Sequence, residues 1–337
     1  MAWTQSHAKL HTLLRKKVLL PKGSHILMAV SGGQDSLCLA RLLSDLSPKW
    51  QWSLGLVHCD HRWRPDSAEN STHVLQLARS WDIPAWAAIA ESPPDSEAAA
   101  RQWRYETFSQ LASSHGYAYV VTGHTASDRA ETVLYNLIRG TGLDGLGTLA
   151  WQRPLGLSVA DNSADITLVR PLLSFTRQET GAFCHTHQLP VWEDSTNQTL
   201  TFRRNHIRKK VMPYLKEHFN PQVEQAIAQS AEIFSAEAGY LQAQTEQLYP
   251  QLVVELQPGK VWQVCCQPLL ELPLALQRRI LRRLLQCALP VSPSFEQVEQ
   301  LITLLDAPNG SRTSTYPGGW VAQVRKPYIW IGLAAMA

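Results

Sequence analysis

Residues 25–30 read His-Ile-Leu-Met-Ala-Val, an apolar run without polar alternation. Such a run fits a strand buried on both faces, as in a parallel sheet. Similar runs lie near Leu54–Cys59, Ala85–Ala90, Tyr117–Thr122 and Ile166–Val169. Between the strands helical spacing recurs near 36–46, 67–80 and 97–114, and Gly116 closes the last as a C-cap. Thr176-Arg-Gln-Glu179 has the capping-box spacing of another helix start. The alternation predicts a βαβ series: an α/β fold with a doubly wound, mostly parallel sheet.

After about residue 218 the pattern changes. Asn220-Pro221 make an N-cap and first-position pair, and Val223, Ile227, Ala231, Phe234, Ala238 and Leu241 mark one long amphipathic helix. The boundary falls just before it, giving domains 1–217 and 218–337. The second is expected to be smaller and mainly helical. It should hold a short strand beyond Pro258-Gly259, helices near 274–288 and 294–305, and a C-terminal hairpin over Trp320–Ile331.

With 337 residues, 45% of them hydrophobic, the chain can build two cores. Its start carries no apolar signal core and no run is long enough to span a bilayer, so a cytoplasmic location is expected. Six irregularly spaced cysteines form neither C-x-x-C nor a disulfide framework, which suits a reducing compartment. The net charge of +3 says little about partners, so its distribution matters more. Arg203, Arg204, Arg208, Lys209 and Lys210 form one basic segment. Arg278, Arg279, Arg282 and Arg283 form another, opposite the apolar stripe of Leu276, Ile280, Leu281, Leu284 and Leu285.

The first strand stops at Ser31-Gly32-Gly33-Gln34-Asp35-Ser36 and a helix follows. Glycines free the backbone to point N–H groups at one anion, and the helix N-terminus adds partial positive charge. Two serine hydroxyls add donors. A carboxylate is out of place in a pure phosphate cradle, so Asp35 suggests Mg²⁺ between it and a polyphosphate. Neither the Walker lysine nor G-x-G-x-x-G is present.

Three further segments follow strands. His58-Cys-Asp-His61 lines up four potential metal ligands, but structural zinc joins ligand pairs from two segments and no partner pair is visible. A strand end at the mouth of a sheet is the better reading. Glu97, Arg101 and Arg104 or Tyr105 fall on one helix face, either as a solvated ion pair or as a phosphate-facing surface. Thr122-Gly-His124 leaves a strand into a helix carrying Asp128 and Glu131, and helix capping by Asp128 is compatible with a functional role.

The loop Ser31–Ser36 resembles the SGGxDS loop of the PP-loop ATP pyrophosphatases, with their adenine nucleotide alpha hydrolase-like fold. The wider set of motifs is similar to the tRNA(Ile)-lysidine synthetase family. They read His58-x-Asp60-His61-x-x-Arg64-Pro65-x-Ser67, Glu97-Ala-x-x-Arg101-x-x-Arg104-Tyr105 and Gly123-His124-x-x-x-Asp128-x-x-Glu131-Thr132. Arg139-Gly-Thr-Gly142, Arg170-Pro171-Leu172, Asp194-Ser195-x-Asn197 and Arg204-Asn205-x-Ile207-Arg208 continue the series. The likeness is strong over the first 217 residues and weaker beyond. One departure stands out: Ser127 occupies a position where the family commonly has an acid.

The resemblance implies ATP-dependent joining of L-lysine to C2 of the wobble cytidine in a CAU-anticodon tRNA(Ile), through an adenylated cytidine. It implies that Ser31, Gly32, Gly33, Gln34, Asp35, Ser36 and His61 bind ATP, with Asp35 on Mg²⁺. Asp128 and Glu131 are then candidates to hold the lysine ammonium. Arg101 and Arg104 either neutralise developing charge or hold the base. Arg139, Arg204, Asn205, Arg208, Arg278, Arg279, Arg282 and Arg283 are the expected RNA contacts. A homodimer is compatible with the chain. Two alternatives stay open: a PP-loop tRNA thiolase, for which no sulfur-carrying cysteine motif is visible, and a non-catalytic tRNA-binding protein with a relict loop.

Overall fold

The structure, a computed structural model, describes residues 3–155, 166–192 and 203–334. The chain divides into two compact units, Met1–Ser235 and Ala236–Ala337.

The first unit is built on strands β1 (His25–Ala29), β2 (Ser53–Asp60), β3 (Ala85–Ile89), β4 (Tyr119–Thr122), β5 (Gln152–Pro154) and β6 (Thr167–Val169). Their order in the sheet is β3-β2-β1-β4-β6-β5. All pair in parallel except β5, which joins β6 antiparallel at the edge. The βα series accounts for the parallel pairs, since a crossover helix returns the chain to the same end of the sheet before the next strand begins.

Alternate residues of β1 point to opposite faces. Ile26 and Met28 enter a core shared with Leu37, Leu42, Val74 and Phe183, whereas Leu27 packs with Tyr105, Phe108 and Ala112. The helices supplying those residues are α2 (Gln34–Trp50), α3 (Ser67–Ser80), α4 (Glu97–His115) and α7 (Arg177–Thr186). They cover both faces, so the doubly wound sheet expected from the apolar runs is the one formed. An N-terminal helix, α1 (Gln5–Lys16), adds Leu10 and Leu14 to the first core and is not among the helices read from periodicity. Helices α5 (Ala126–Ile138) and α6 (Leu143–Leu146) follow β4. The segment before the long helix is itself helical, running through α8 (Arg203–His206), a π-helical turn (Ile207–Val211) and α9 (Met212–His218).

The long helix α10 (Val223–Leu252) starts two residues after the first position that Asn220-Pro221 predicts, and the compact units meet inside it, at Ser235. Its first turns belong to the first unit for a local reason. Glu224 accepts a hydrogen bond from Ser127, and Glu232 accepts from Arg129 and Trp151.

The second unit holds β7 (Val253–Gln257), β8 (Val261–Cys265), α11 (Cys266–Leu270), α12 (Leu274–Ala288), α13 (Phe295–Leu304), β9 (Trp320–Arg325) and β10 (Tyr328–Leu333). The expected hairpin β9–β10 is present, but it is half of a four-stranded antiparallel sheet ordered β7-β8-β10-β9. The unit is mainly helical, as expected, and the two further strands β7 and β8 extend the hairpin into a sheet. No turn signal separates α10 from β7, so periodicity hides where the helix ends. Ile280, Leu281, Leu284 and Leu285 of α12 pack on Val264, Val324, Ile329 and Ile331 of this sheet.

Candidate active site

Strand order reverses direction between β1 and β4, and in doubly wound sheets ligands bind beyond the C-terminal ends of strands at such a point. The loop after β1 is Ser31–Ser36, and the turn after β4 is Gly123–Thr125. The two loops touch. A Cβ on Gly123 would lie 2.9 Å from the Asp35 carbonyl carbon and 2.9 Å from the Ser36 nitrogen, so only glycine lets the β4 turn reach the start of α2.

Within the first loop Ser36 Oγ donates to the Gly33 carbonyl at 2.8 Å, and the Ser31 N–H donates to Ser36 Oγ at 3.2 Å. Gly32 has φ +89°, and a side chain there would also strike Asn70 Oδ1 at 2.4 Å. Asn70 is buried and its Nδ2 donates to the Ser31 carbonyl at 3.0 Å, holding the loop open from the α3 side. Helix α2 begins at Gln34 without a side-chain cap, which leaves its first-turn N–H groups for an anion. Gln34, expected at the nucleotide, turns the other way: its Nε2 donates to the Arg177 carbonyl at 2.7 Å and to Thr180 Oγ1 at 3.1 Å, fastening α2 to α7.

Asp35 faces a set of neighbours that no local motif announces. Thr180 Oγ1 donates to its Oδ1, and Arg177 Nη1 stands 3.6 Å from Oδ2. Burial pushes its carboxyl up, with Arg177 opposing and the charge of Asp128 reinforcing. A single carboxylate beside a phosphate cradle, strained by a like charge, is a donor set that suits Mg²⁺, which takes one or two carboxylates and completes its shell with phosphate oxygens and water.

Asp128 both caps and faces the site. Its Oδ2 accepts from the Thr125 N–H and Oγ1, each at 2.8 Å, while Oδ1 lies 3.3 Å from Arg208 Nη2. Burial raises its pKa, but His124 once protonated, the Thr125 N–H and Arg208 together pull harder, so it sits below the usual carboxylate value. Glu131, buried one turn on, receives the Arg208 fork, Nε to Oε1 at 2.6 Å and Nη2 to Oε2 at 2.8 Å. Burial outweighs this partner and lifts the Glu131 pKa. Arg208, expected at RNA, therefore stands over the two carboxylates.

Ser127 is buried where an acid is common. Its Oγ donates to Glu224 Oε2 at 2.8 Å and accepts the Arg177 N–H at 3.1 Å. A carboxylate from α10 thus supplies negative charge next to this position. Spacing along the chain gives no signal for a partner so far away.

A basic belt runs beside these acids. Arg101 and Arg153 lie over the Tyr105 ring at 5.3 and 4.9 Å, and buried Arg170 donates to the Ala150 carbonyl at 2.8 Å. Although burial acts upward on the Tyr105 hydroxyl, Arg101, Arg170 and Arg153 draw its pKa below the ordinary phenol value. Burial likewise lowers the pKa of Arg104. So many guanidinium groups with few carboxylates favour a bound polyanion. Glu97 meets Arg204 at 3.5 Å instead of forming the bridge to Arg101 that the spacing suggests. Burial, with Arg104 helping, pushes His61 down to about 4. His124, deeply buried, is pushed down to about 3 and is neutral near pH 7.

His58 bonds through Nδ1 to the Val30 carbonyl at 2.8 Å, and Asp60 accepts the Arg62 N–H at 2.7 Å, so the run His58–His61 does not converge. Among the described residues no group of three or more His, Cys, Asp or Glu is arranged to hold a metal. Of the expected RNA contacts, Arg139 is exposed, Arg204 also reaches Thr132 at 3.3 Å, and Asn205 is half-buried on the same helical run. In the second unit Arg278 is paired with Glu299 at 2.7 and 2.9 Å, Arg279 is half-buried, Arg283 covers the Tyr249 ring at 4.4 Å, and Arg282 is exposed. Asp194, Ser195 and Asn197 lie outside the described residues.

A glycine cradle at a strand-order reversal, with an aspartate opening the following helix, defines the PP-loop class of ATP-binding domains. The model of the PP-loop domain matches residues 3–215, and that of the TilS substrate binding domain matches residues 265–326. The chain is 50% identical to the tRNA(Ile)-lysidine synthase of Nostoc sp., over 98% of this chain and 97% of that protein. It is 48% identical to that of Synechocystis sp., over 98% of each, and 36% identical to the chloroplastic enzyme of Zygnema circumcarinatum, over 87% and 78%. Among solved structures, the U34-tRNA thiolase NcsA from Methanococcus maripaludis shares the fold, with a TM-score of 0.57 at 16% identity over 69% of this chain and 78% of that one. The chain belongs to the tRNA(Ile)-lysidine synthase family.

Proposed function

We propose that the protein makes lysidine: ATP adenylates the C2 oxygen of the wobble cytidine of CAU-anticodon tRNA(Ile) and pyrophosphate leaves. The ε-amine of L-lysine then displaces AMP. Adenylation is chemically required, because the C2 oxygen of cytosine belongs to a urea-like group and is too poor a leaving group by itself.

The observation that carries the assignment of roles is the convergence of Asp128 and Glu131 on one cation, Arg208, beside the nucleotide loop. A carboxylate pair that holds a guanidinium is equipped to hold an ammonium. Free lysine is largely protonated near neutrality, with a reference pKa of about 10.4, so it must lose a proton before attack. Glu131, its pKa lifted by burial, is the better acceptor, and Asp128 remains the stronger anion.

In this reading Ser31, Gly32, Gly33 and Ser36 hold the phosphates, and Asp35 takes Mg²⁺, which when bound would offset charge on the departing pyrophosphate. Arg177 and Thr180 orient Asp35. Arg101, Arg104 and Arg153 form the wall on which the polyanion rests, and buried Arg170 adds its charge from behind. His61, neutral and packed 5.0 Å from Trp103, offers a flat polar edge to the nucleotide. A cytoplasmic location completes the proposal; among the described residues no helix is long and apolar enough to cross a membrane. Incubation with the tRNA, ATP and labelled lysine, followed by mass analysis of the nucleosides, tests the whole. A labelled cytidine heavier by lysine less one water is expected, because the C2 oxygen departs with AMP, and its absence while AMP forms would move the acceptor elsewhere.

A further inference from the structure

The helical run 203–218 has two unlike sides. Inward it buries Ile207 and Met212 and extends Arg208 onto Glu131. Outward it exposes Lys209, Lys210, Tyr214 and His218, with Phe219 just beyond its end. Tyr214 is 56% exposed and Phe219 72%, yet their rings are grouped: Tyr214 lies 4.4 Å from His218 and 6.0 Å from Phe219 between centroids. Single apolar residues are common on surfaces, but a cluster of open aromatic rings flanked by lysines is not accounted for by folding. Glu217 is the acid on this stretch and meets His218 at 3.9 Å, while Lys216 pairs with Glu224 at 2.7 Å.

We infer that this outer face is a stacking platform for unpaired bases of the RNA substrate, with Tyr214 and Phe219 under the bases and Lys209 and Lys210 on the phosphates. The inference rests on the RNA reading above and extends it to residues outside the expected contacts. Single-stranded RNA is the partner that offers flat π-faces and negative charge together. Position supports it as well. Tyr214 follows Arg208 by about 9 Å along a helix axis, a span that a few nucleotides cover, so the bases concerned are neighbours of the reacting cytidine.

The test uses the full chain and a stem-loop RNA with a CAU loop, with binding followed by fluorescence anisotropy at several salt concentrations. Tyr214→Ala and Phe219→Ala should each weaken binding by roughly five- to a hundredfold without altering the salt slope, and Tyr214→Phe should bind as the unmodified protein does. Lys209→Gln combined with Lys210→Gln should instead flatten the slope, by roughly 0.7 for each phosphate that is no longer neutralised. Unchanged affinity in both aromatic variants overturns the platform while leaving the RNA reading intact. A shift of sedimentation in those variants without loss of RNA affinity also overturns it, and assigns the face to a second copy of the chain. Failure of the unmodified protein to bind the stem-loop would count against the RNA reading itself and the platform with it.

Discussion

Arg208 lays two guanidinium nitrogens on Glu131, at 2.6 and 2.8 Å, and the same side chain reaches Asp128 at 3.3 Å. The geometry is a planar fork on a buried carboxylate, which a lysine cannot reproduce. Glu131 already has a raised pKa from burial, and Arg208 is the chief opposing influence. Removing it with Arg208→Gln should raise that pKa further. The acid limb of the lysine-dependent rate is therefore expected to move to higher pH, and partial activity should return in alkaline buffer. An acid limb that stays in place would show that Glu131 does not govern this step.

Glu131→Gln and Asp128→Asn remove negative charge that faces a cation. Each should raise the lysine concentration needed for half-maximal rate more than the corresponding ATP concentration. Asp128 also closes the capping box with Thr125, so its variant should lose about 1 kcal/mol of stability as well. Equal changes in the lysine and ATP dependences would return both acids to a structural role.

Asp35→Ala takes away the carboxylate that faces the phosphate cradle but none of the basic surface. AMP formation should fall by at least tenfold while tRNA affinity stays close to that of the unmodified protein. Near-normal AMP formation would remove Asp35 from the proposed Mg²⁺ site.

Gly123→Ala would place a methyl group 2.9 Å from backbone atoms of Asp35 and Ser36. Backbone cannot swing aside as a flexible side chain can, so the β4 turn must retreat from α2. A destabilisation of about 1–3 kcal/mol is expected, in line with overpacked cores, together with weaker ATP use. Urea unfolding and ATP titration measure the two effects, and a variant unchanged in both would mean that the loops separate without cost.

His61 provides a pH prediction. Its pKa in the fold, pushed down to about 4 chiefly by burial, lies under the ordinary value of 6.5. Between those values the unfolded chain binds the extra proton and the folded chain resists it. The stabilisation is therefore complete above pH 6.5 and is lost as pH falls toward 4. In His61→Gln the loss of stability between pH 7.5 and 4.5 should be smaller, although His124 acts in the same direction. Equal losses in variant and unmodified protein would mean that His61 is free to protonate in the folded state.

Five of the six described strands of the first unit are legible in the sequence, because apolar runs such as Ile26–Val30 keep that character whichever strand lies beside them, whereas the short edge strand Gln152–Pro154 has no apolar run and is decided by its pairing with β6. The helix start at Thr176 is legible because capping chemistry is local. The cradle Ser31–Ser36 and the acids Asp128 and Glu131 can also be read from the chain, each being a short segment whose chemistry is contained in a few neighbouring residues. What surrounds those residues cannot. Arg177 and Thr180 reach Asp35 only because α7 packs along α2, and Arg208 reaches Glu131 only because a helix some eighty residues downstream lies over α5. Likewise, Ser127 without its acid reads as a defect until α10 brings Glu224 to it. The same limit applies to the basic segments, where equal charges along the chain separate into Arg278, held by Glu299, and Arg282, left in water. Local pattern encodes secondary structure and the type of chemistry, whereas the partner of each charged group depends on contacts between distant segments, which packing of the whole domain decides.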